Sequence, residues 1–548
     1  MAVAPGWLPT TAVAVVLAVV VSVGVVRWLD RRHDWGSTRR SRLLLGVPWG
    51  TVTVILFVLG VYLFVQGAWS HWRSPLVIPF RSWSYLYPLG MLTAAFSHAG
   101  VAHITGNLLG TATFGTLAEY AWGHFPTERG SGSFASWRTN PYVRAFVLFP
   151  AGAVLVGLVT VFFGWGPIIG FSGVVFAFVG FGLVRYPVWT VVALTVDDVL
   201  GVVYHALQSP VIESQAKPTF GQPWWAGIAV QGHLLGLFVG LLVGVLVLRR
   251  RDRNPTRLWV GSLLVATSLS LWALWWYRGN DHYVLYRGLG VVFVLALALV
   301  VTLGVVATQV DWTLPELNVP VKTLGLLLLL LPPLVVGLAA VPLNLTTVAD
   351  AAPPGAGPAL HARDYTIVYA ENVTNRETSV VNLSFLGETT EVRTSGVIVV
   401  SAKRHLWTTA VSTSRLAFEG RVQVPVGGPG WRRTAVAARD GWHVAGNGTV
   451  YRVFLRLDRG PWHLAFRSPR RTADVVLAGD RVAIAPGVKG FVIDVRRDNA
   501  TVASAPMPAA NASVEAGGIT FTRRNDRLVA SVNGTRVPIA ERERYRGA

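Results

Sequence analysis

From about residue 6 to residue 346 the chain is a succession of long apolar runs separated by polar connectors; beyond that, apolar and polar residues alternate in short stretches. Runs of about 20 apolar residues can cross a bilayer as helices. Ten can be placed, near residues 9–26, 45–66, 97–119, 142–164, 169–186, 187–208, 224–248, 257–276, 284–307 and 323–343. The later region predicts strands, in stretches such as TSGVIVV, TVYRVFLRL, GFVIDV and ITFTRR bounded by Gly, Pro and Asn-Gly signals. The pattern therefore predicts a polytopic α-helical membrane protein followed by an all-β domain, read as one β-sandwich or a pair of small ones. Four parts follow: an N-terminal anchor with a basic connector (1–44), a block of six spans (45–250), three further spans (251–349) and the β-rich region (350–548), entered through the linker AAPPGAGPA.

Composition supports the membrane class, with 52% hydrophobic and 14% charged residues and a mean hydropathy of +0.47. Cysteine is absent, which excludes disulfides, thiolate metal sites and a cysteine nucleophile, so covalent catalysis would have to use oxygen or nitrogen. The net charge of +20 divides equally about residue 349, and neither part reads as a nucleic-acid binder. With the connector RWLDRRHDWGSTRRSR placed in the cytoplasm, 16 of the 21 basic residues before residue 349 fall on the inner side. The first apolar run has no basic residue ahead of it and no small-residue cleavage pattern behind it, so it reads as an anchor. The charge bias places both termini and the β domain outside the cell, at the plasma membrane. Sequons agree: of nine asparagines after residue 343, seven stand in N-x-[ST], namely Asn344, Asn372, Asn382, Asn447, Asn499, Asn511 and Asn533, and none of the five earlier ones does. Glycan acceptors belong on exported surfaces. Dense sequons, absent cysteine and a strong preference for Arg over Lys suggest an archaeal glycoprotein.

Polar side chains inside the spans carry the chemistry, because burying them is costly unless they are partnered or lie in a wet cavity. In FSHAGVAHITGNLLG, His98 precedes a helix, and His103 and Asn107 are four apart and share one face. In GFSGVVFAFVG, Ser172 stands between glycines at a helix start, and in VQGHLLGLFVGLLVG, His233 lies near the start of another span. All five fall toward the outer leaflet. Gly232, Gly236, Gly240 and Gly244 form one stripe that allows near backbone contact, and the span opening at Ser172 carries Gly173, Ala177, Gly180 and Gly182. If the two stripes face each other, Ser172 and His233 come within hydrogen-bond reach.

A serine hydroxyl becomes a nucleophile when an adjacent imidazole takes its proton. Acyl transfer also needs donors aimed at the developing oxyanion, and His103, Asn107 and the free N–H groups at the helix start can supply them. Bland readings exist for each motif alone: a GxSG can be helix packing, and HxxxN a satisfied polar pair. His443 and His463 in the β region read as surface or packing residues.

In this order and spacing the motifs resemble those of a rhomboid intramembrane serine protease: HxxxxHxxxN at His98, His103 and Asn107, GxSG at Gly170, Ser172 and Gly173, and HxxGxxxG at His233, Gly236 and Gly240. The resemblance implies a six-helix rhomboid core at residues 45–250, one extra N-terminal helix and about three extra C-terminal ones. It implies Ser172 as nucleophile, His233 as general base, His103 and Asn107 as oxyanion donors, His98 as organiser of the mouth, and a structural role for Glu119. It implies no metal or organic cofactor, and peptide-bond cleavage in transmembrane protein substrates within the lipid bilayer. The sequence departs from the family pattern at Leu89-Gly90, where a Trp-Arg pair is usual, and at Phe176, often a tyrosine. Asp197 and Asp198 inside a span would line a wet crevice or modulate helix movement. Two rivals are a catalytically silent rhomboid-like protein that binds membrane clients and a transporter with a sensory ectodomain. The later helices and the β domain would recruit substrates or anchor the chain to cell-envelope glycoproteins.

Overall fold

The apolar runs become helices in the computed structural model, which describes residues 8–29, 42–126, 129–209, 219–248, 254–314, 319–348, 353, 356–377, 382–383, 387–389, 391–446, 448–498 and 500–546. Two compact units divide the chain: residues 1–216, 223–276 and 283–346 form the first, and residues 217–222, 277–282 and 347–548 the second.

Among the described residues the first unit contains, besides a short helix at Pro88–Thr93, ten longer helical rods: α1 (Leu8–Leu29), α2 (Trp49–Val65), α3 (101–122), α4 (Pro141–Phe162), α5 (Ser172–Arg185), α6 (Pro187–Gln208), α7 (Val230–Val247), α8 (Pro255–Ser268), α9 (Arg287–Ala307) and α10 (Val321–Asn344). Five of them, α4, α6, α7, α9 and α10, are long and apolar enough by themselves to cross a membrane. Of the others, α2, α5 and α8 are shorter and α3 carries more polar residues, while α1 is a 22-residue apolar helix. Helix α5 has only 14 residues, yet all but Ser172 and Arg185 are buried. A helix apolar all round belongs inside a bundle, and α5 is the central rod of this one.

The close fit of α5 and α7 follows from their small residues. A Cβ on Gly236 would overlap Gly173 O, one on Gly240 would overlap Ala177 O, and one on Gly180 would overlap Leu237 O. No larger residue permits that approach. The facing stripe is shorter than expected at one end, since a Cβ on Gly232 would have no neighbour within 4 Å. Gly182 turns away toward Thr190 and Leu117.

A polar knot fastens the end of α3 remote from Asn107. The Glu119 side chain, fully buried, accepts from Gly50 N (2.8 Å), Thr51 N (2.7 Å), Thr51 Oγ1 (2.7 Å) and His124 Nε2 (2.6 Å). It thereby caps the start of α2, where N–H groups lack helical partners and the helix dipole favours an acidic group. His124 Nδ1 accepts from Leu44 N (2.9 Å), and the Arg144 guanidinium donates to Gly123 O while lying over the Trp122 ring.

The span expected over 257–276 ends early. Helix α8 stops at Ser268, Ser270 adopts φ +59°, and the following Trp-rich run enters a two-stranded hairpin, Trp275–Gly279 paired with His282–Leu285. Aromatic residues raise the hydropathy of that run but also favour strands, and Asn280-Asp281 with positive φ forms the turn.

The second unit is antiparallel. Strands β1 (Leu360–Ala362), β2 (Tyr365–Thr374), β3 (Arg393–Ser401) and β4 (Leu406–Ser412) form a sheet in the order β4-β3-β2-β1. An eight-stranded sheet follows the order β8-β7-β6-β16-β15-β14-β13, with β5 (Arg421–Gly428) also paired to β6; its other strands are β6 (Trp431–Val444), β7 (Thr449–Leu457), β8 (His463–Arg467), β13 (Ser513–Ala516), β14 (Ile519–Arg524), β15 (Arg527–Val532) and β16 (Thr535–Arg542). The third, four-stranded, contains β9 (Arg471–Leu477), β10 (Asp480–Pro486), β11 (Phe491–Arg497) and β12 (Ala500–Pro506) in sequence order. Ile484, Ile493 and Val495 of this sheet share one core with Trp442, Phe521 and Ile539 of the eight-stranded sheet, which makes a sandwich. Among the described residues one α-helix, α11 (Thr413–Glu419), and a 3-10 turn at Ala402–Arg404 interrupt the strands of this unit. Tyr369 and Tyr451 both donate to Glu371, and Arg439, lying over the Tyr451 ring, forms a buried bidentate pair with Glu543, so a polar seam joins the first sheet to the second.

Candidate active site

Ser172 is the first residue of α5, and His233 lies one turn into α7. The main-chain contact between the helices brings the two side chains together: His233 Nε2 stands 2.9 Å from Ser172 Oγ. The Phe176 ring, one turn beyond Ser172, stacks on the imidazole at 4.3 Å between centroids and 10° between planes. It fixes the ring plane without donating a hydrogen bond. His233 Nδ1 is buried and finds no hydrogen-bond partner among the described residues, so no carboxylate completes a triad there.

His103 and Asn107 share one face of α3 and border the turn before the serine. Gly170 adopts φ +123°, and a Cβ on it would stand 2.6 Å from His103 Nε2 and 3.6 Å from Asn107 Nδ2. Glycine is therefore required at that position both by conformation and by the closeness of these two side chains. His103 Nδ1 accepts from Ala99 N at 3.3 Å, which assigns the ring proton to Nε2, the nitrogen beside Gly170. Asn107 is 7% exposed, and its Nδ2 has no acceptor among the described residues. Two N–H donors thus converge beside the loop that leads into Ser172.

His98 is fully buried, its ring 5.1 Å from that of His103 in an edge-to-face arrangement. Its main chain is gripped by Gln66, whose Oε1 accepts from His98 N (2.7 Å) and whose Nε2 donates to His98 O (2.8 Å) and Leu76 O (2.8 Å). Gln66 belongs to none of the sequence motifs, although a glutamine closing an apolar run is the same signal as His233 within its span.

Other expected residues lie elsewhere. Asp197 on α6 accepts from Thr113 Oγ1 at 3.2 Å, and Asp198 is exposed. His443 and His463 are exposed, as expected of surface residues. Among the sequon asparagines Asn372, Asn511 and Asn533 are exposed, while Asn447 and Asn499, with the Asn382 side chain, lie outside the described residues. Asn344 departs from the expectation of a surface acceptor: it is 1% exposed, at the end of α10. Lys217, part of the charge argument, lies outside the described residues, as does most of the basic connector.

Residues 86–250 match the family model described as the Rhomboid domain, under a third of the chain, and include His98, His103, Asn107, Gly170, Ser172, Phe176 and His233 but not Gln66. No significant match was found among curated proteins or among solved structures.

Proposed function

We propose, taking as premise that residues 86–250 are a rhomboid domain in a multi-pass membrane protein, that the chain is an intramembrane serine endopeptidase. The observation that carries this reading is the 2.9 Å contact between Ser172 Oγ and His233 Nε2, beside the paired donors of His103 and Asn107. His233 Nε2 takes the hydroxyl proton as Ser172 Oγ bonds to the scissile carbonyl carbon. The oxyanion is stabilised by His103 Nε2–H, Asn107 Nδ2–H and the free N–H groups at the start of α5. Collapse breaks the C–N bond, with the proton passing from His233 to the leaving amine. Water, deprotonated by the same imidazole, then hydrolyses the acyl-enzyme and restores the serine.

The length of α5 sets the depth of this chemistry. Fourteen residues span about 20 Å, against about 30 Å of hydrocarbon, so with Arg185 at one interface Ser172 is recessed below the other. The substrate is a transmembrane protein whose helix must unwind near the cut, because a helical carbonyl is engaged and its backbone shielded. Helix-breaking residues there favour cleavage. The positive-inside bias and the exposed sequon asparagines support a site facing the outer leaflet, with both termini and the β-rich unit outside the cell. The reading invokes no cofactor. A silent client-binding protein would have no use for a base in contact with a serine and two donors beside it.

The test is fluorophosphonate labelling of the full chain in membranes. Wild type is expected to label at Ser172 and to shed extracellular fragments of single-span proteins, and Ser172→Ala to do neither. Labelling that persists in Ser172→Ala, or a folded wild type that neither labels nor sheds, would overturn the proposal.

A further inference from the structure

The loop that delivers Ser172, residues 164–171, has no regular structure of its own, and bonds from outside set its position. Ser82 N donates to Ile168 O (3.2 Å), Ile168 N donates to Ser82 Oγ (3.0 Å), and Gly170 N donates to Ala94 O (2.9 Å). Gln231, two residues ahead of His233, accepts from Trp165 N (2.9 Å) and donates to Phe163 O (2.8 Å). Further attachments come from α10, which lies outside the matched domain. Asn344 Oδ1 accepts from Gly166 N (3.2 Å), Asn344 Nδ2 donates to Gly164 O (2.7 Å), and Trp165 Nε1 donates to Val336 O (2.8 Å). The same end of α10 holds the segment beside the loop. Asn344 O accepts from Tyr85 N (3.0 Å), Thr346 Oγ1 donates to Trp83 O (3.1 Å), and Thr346 O accepts from Ser84 Oγ (2.8 Å).

We propose that Asn344 and Thr346 are positioning residues for the nucleophile, acting through the 164–171 loop, and that the triplet Asn344-Leu345-Thr346 is an anchor rather than a glycan acceptor. A glycan would have to be attached to Asn344 Nδ2, the atom that donates to Gly164 O, and a sugar on a side chain only 1% exposed would have to displace the loop packed against it. Both polar residues of the triplet are occupied in holding main chain. The last membrane helix is thereby part of the active-site support. Its loss shifts Ser172 relative to His233, which alters the chemical step more than substrate capture, since small displacements of a reacting group cost large factors in rate. The catalytic part of this inference rests on the protease reading.

The test uses the full chain in membranes, a single-span substrate with a Gly-Pro break near its outer end, fluorophosphonate labelling, and the mass of the wild-type peptide carrying Asn344. Asn344→Ala is expected to lower kcat and the labelling rate about tenfold or more, with KM changed less than about twofold. Thr346→Val moves both in the same direction by less, and the Asn344 peptide carries no glycan. A glycan on Asn344 of folded protein, or wild-type labelling rates in both variants, overturns the proposal. Should Asn344→Ala fail to fold, Thr346→Val and the peptide mass still decide. A wild type that neither labels nor cleaves defeats the protease reading, and the peptide mass then judges the anchor by itself.

Discussion

Asn107 has a buried amide nitrogen with no acceptor among the described residues, beside the turn that carries the serine. In the proposed mechanism its amide contributes chiefly once charge has developed on the carbonyl oxygen. Asn107→Ala is therefore expected to reduce kcat by about 100- to 1,000-fold, as for removal of one oxyanion donor, with KM little changed in steady-state cleavage assays. Phe176→Ala, which frees the unbraced imidazole, is expected to slow fluorophosphonate labelling, whereas Phe176→Tyr keeps the stack. At this scale the sequence was legible where a polar residue interrupts apolar neighbours, as at His103, Asn107 and His233. Gln66 and Gln231 give the same signal and were missed because glutamine suggests no chemistry. Asn344 differs from the surface residue its sequon leads one to expect because a three-residue motif carries no information about burial, and its exposure is 1%.

At the scale of elements, the crossing of α5 and α7 decides whether serine and histidine meet. Their small-residue repeats are readable because a period of four puts every member on one helix face. Gly232 was included wrongly, since the stripe extends past the point where the neighbouring helix is close. Gly240→Leu places a side chain against Ala177 O and is expected to abolish labelling and lower the unfolding temperature together. Glu119 is the complementary case, because its chemistry is structural. Removing it in Glu119→Ala strands two main-chain donors and a hydroxyl in the bundle. A loss of about 3 to 5 kcal/mol is expected, the range for breaking a buried charged network, measured by thermal or denaturant unfolding in detergent. The hairpin at 275–285 shows where hydropathy fails, since tryptophan counts toward a span while its β preference and the Asn-Asp turn favour strands.

At the scale of the whole molecule, the change from long runs to short alternation announced two architectures, and the structure has a helical unit and a β-rich one. The pairing of strands was not legible: β6 meets β16 across nearly a hundred residues, and periodicity gives the face of a strand without naming its neighbour. The second unit carries its own pH dependence. Burial raises the Asp364 carboxyl, but the Arg404 guanidinium and the Ser401 hydroxyl outweigh it and hold Asp364 below the usual carboxylate range. A depressed folded pKa stabilises above the unfolded value, about 3.9, and the benefit disappears as pH falls through the folded one. Below about pH 4 the β-rich unit is therefore expected to lose stability, with a shallower acid slope in Asp364→Asn, as followed by tryptophan fluorescence. Glycines back the dyad with bare main chain, Gly236 against Gly173 O and Gly240 against Ala177 O. No side chain intervenes between α5 and α7 at these glycines, so lateral pressure or bilayer thickness is expected to have little purchase on the spacing of Ser172 and His233. On the proposed protease reading, variation in turnover between lipid environments then reports on how substrates arrive and bend, and leaves the proton transfer itself untouched.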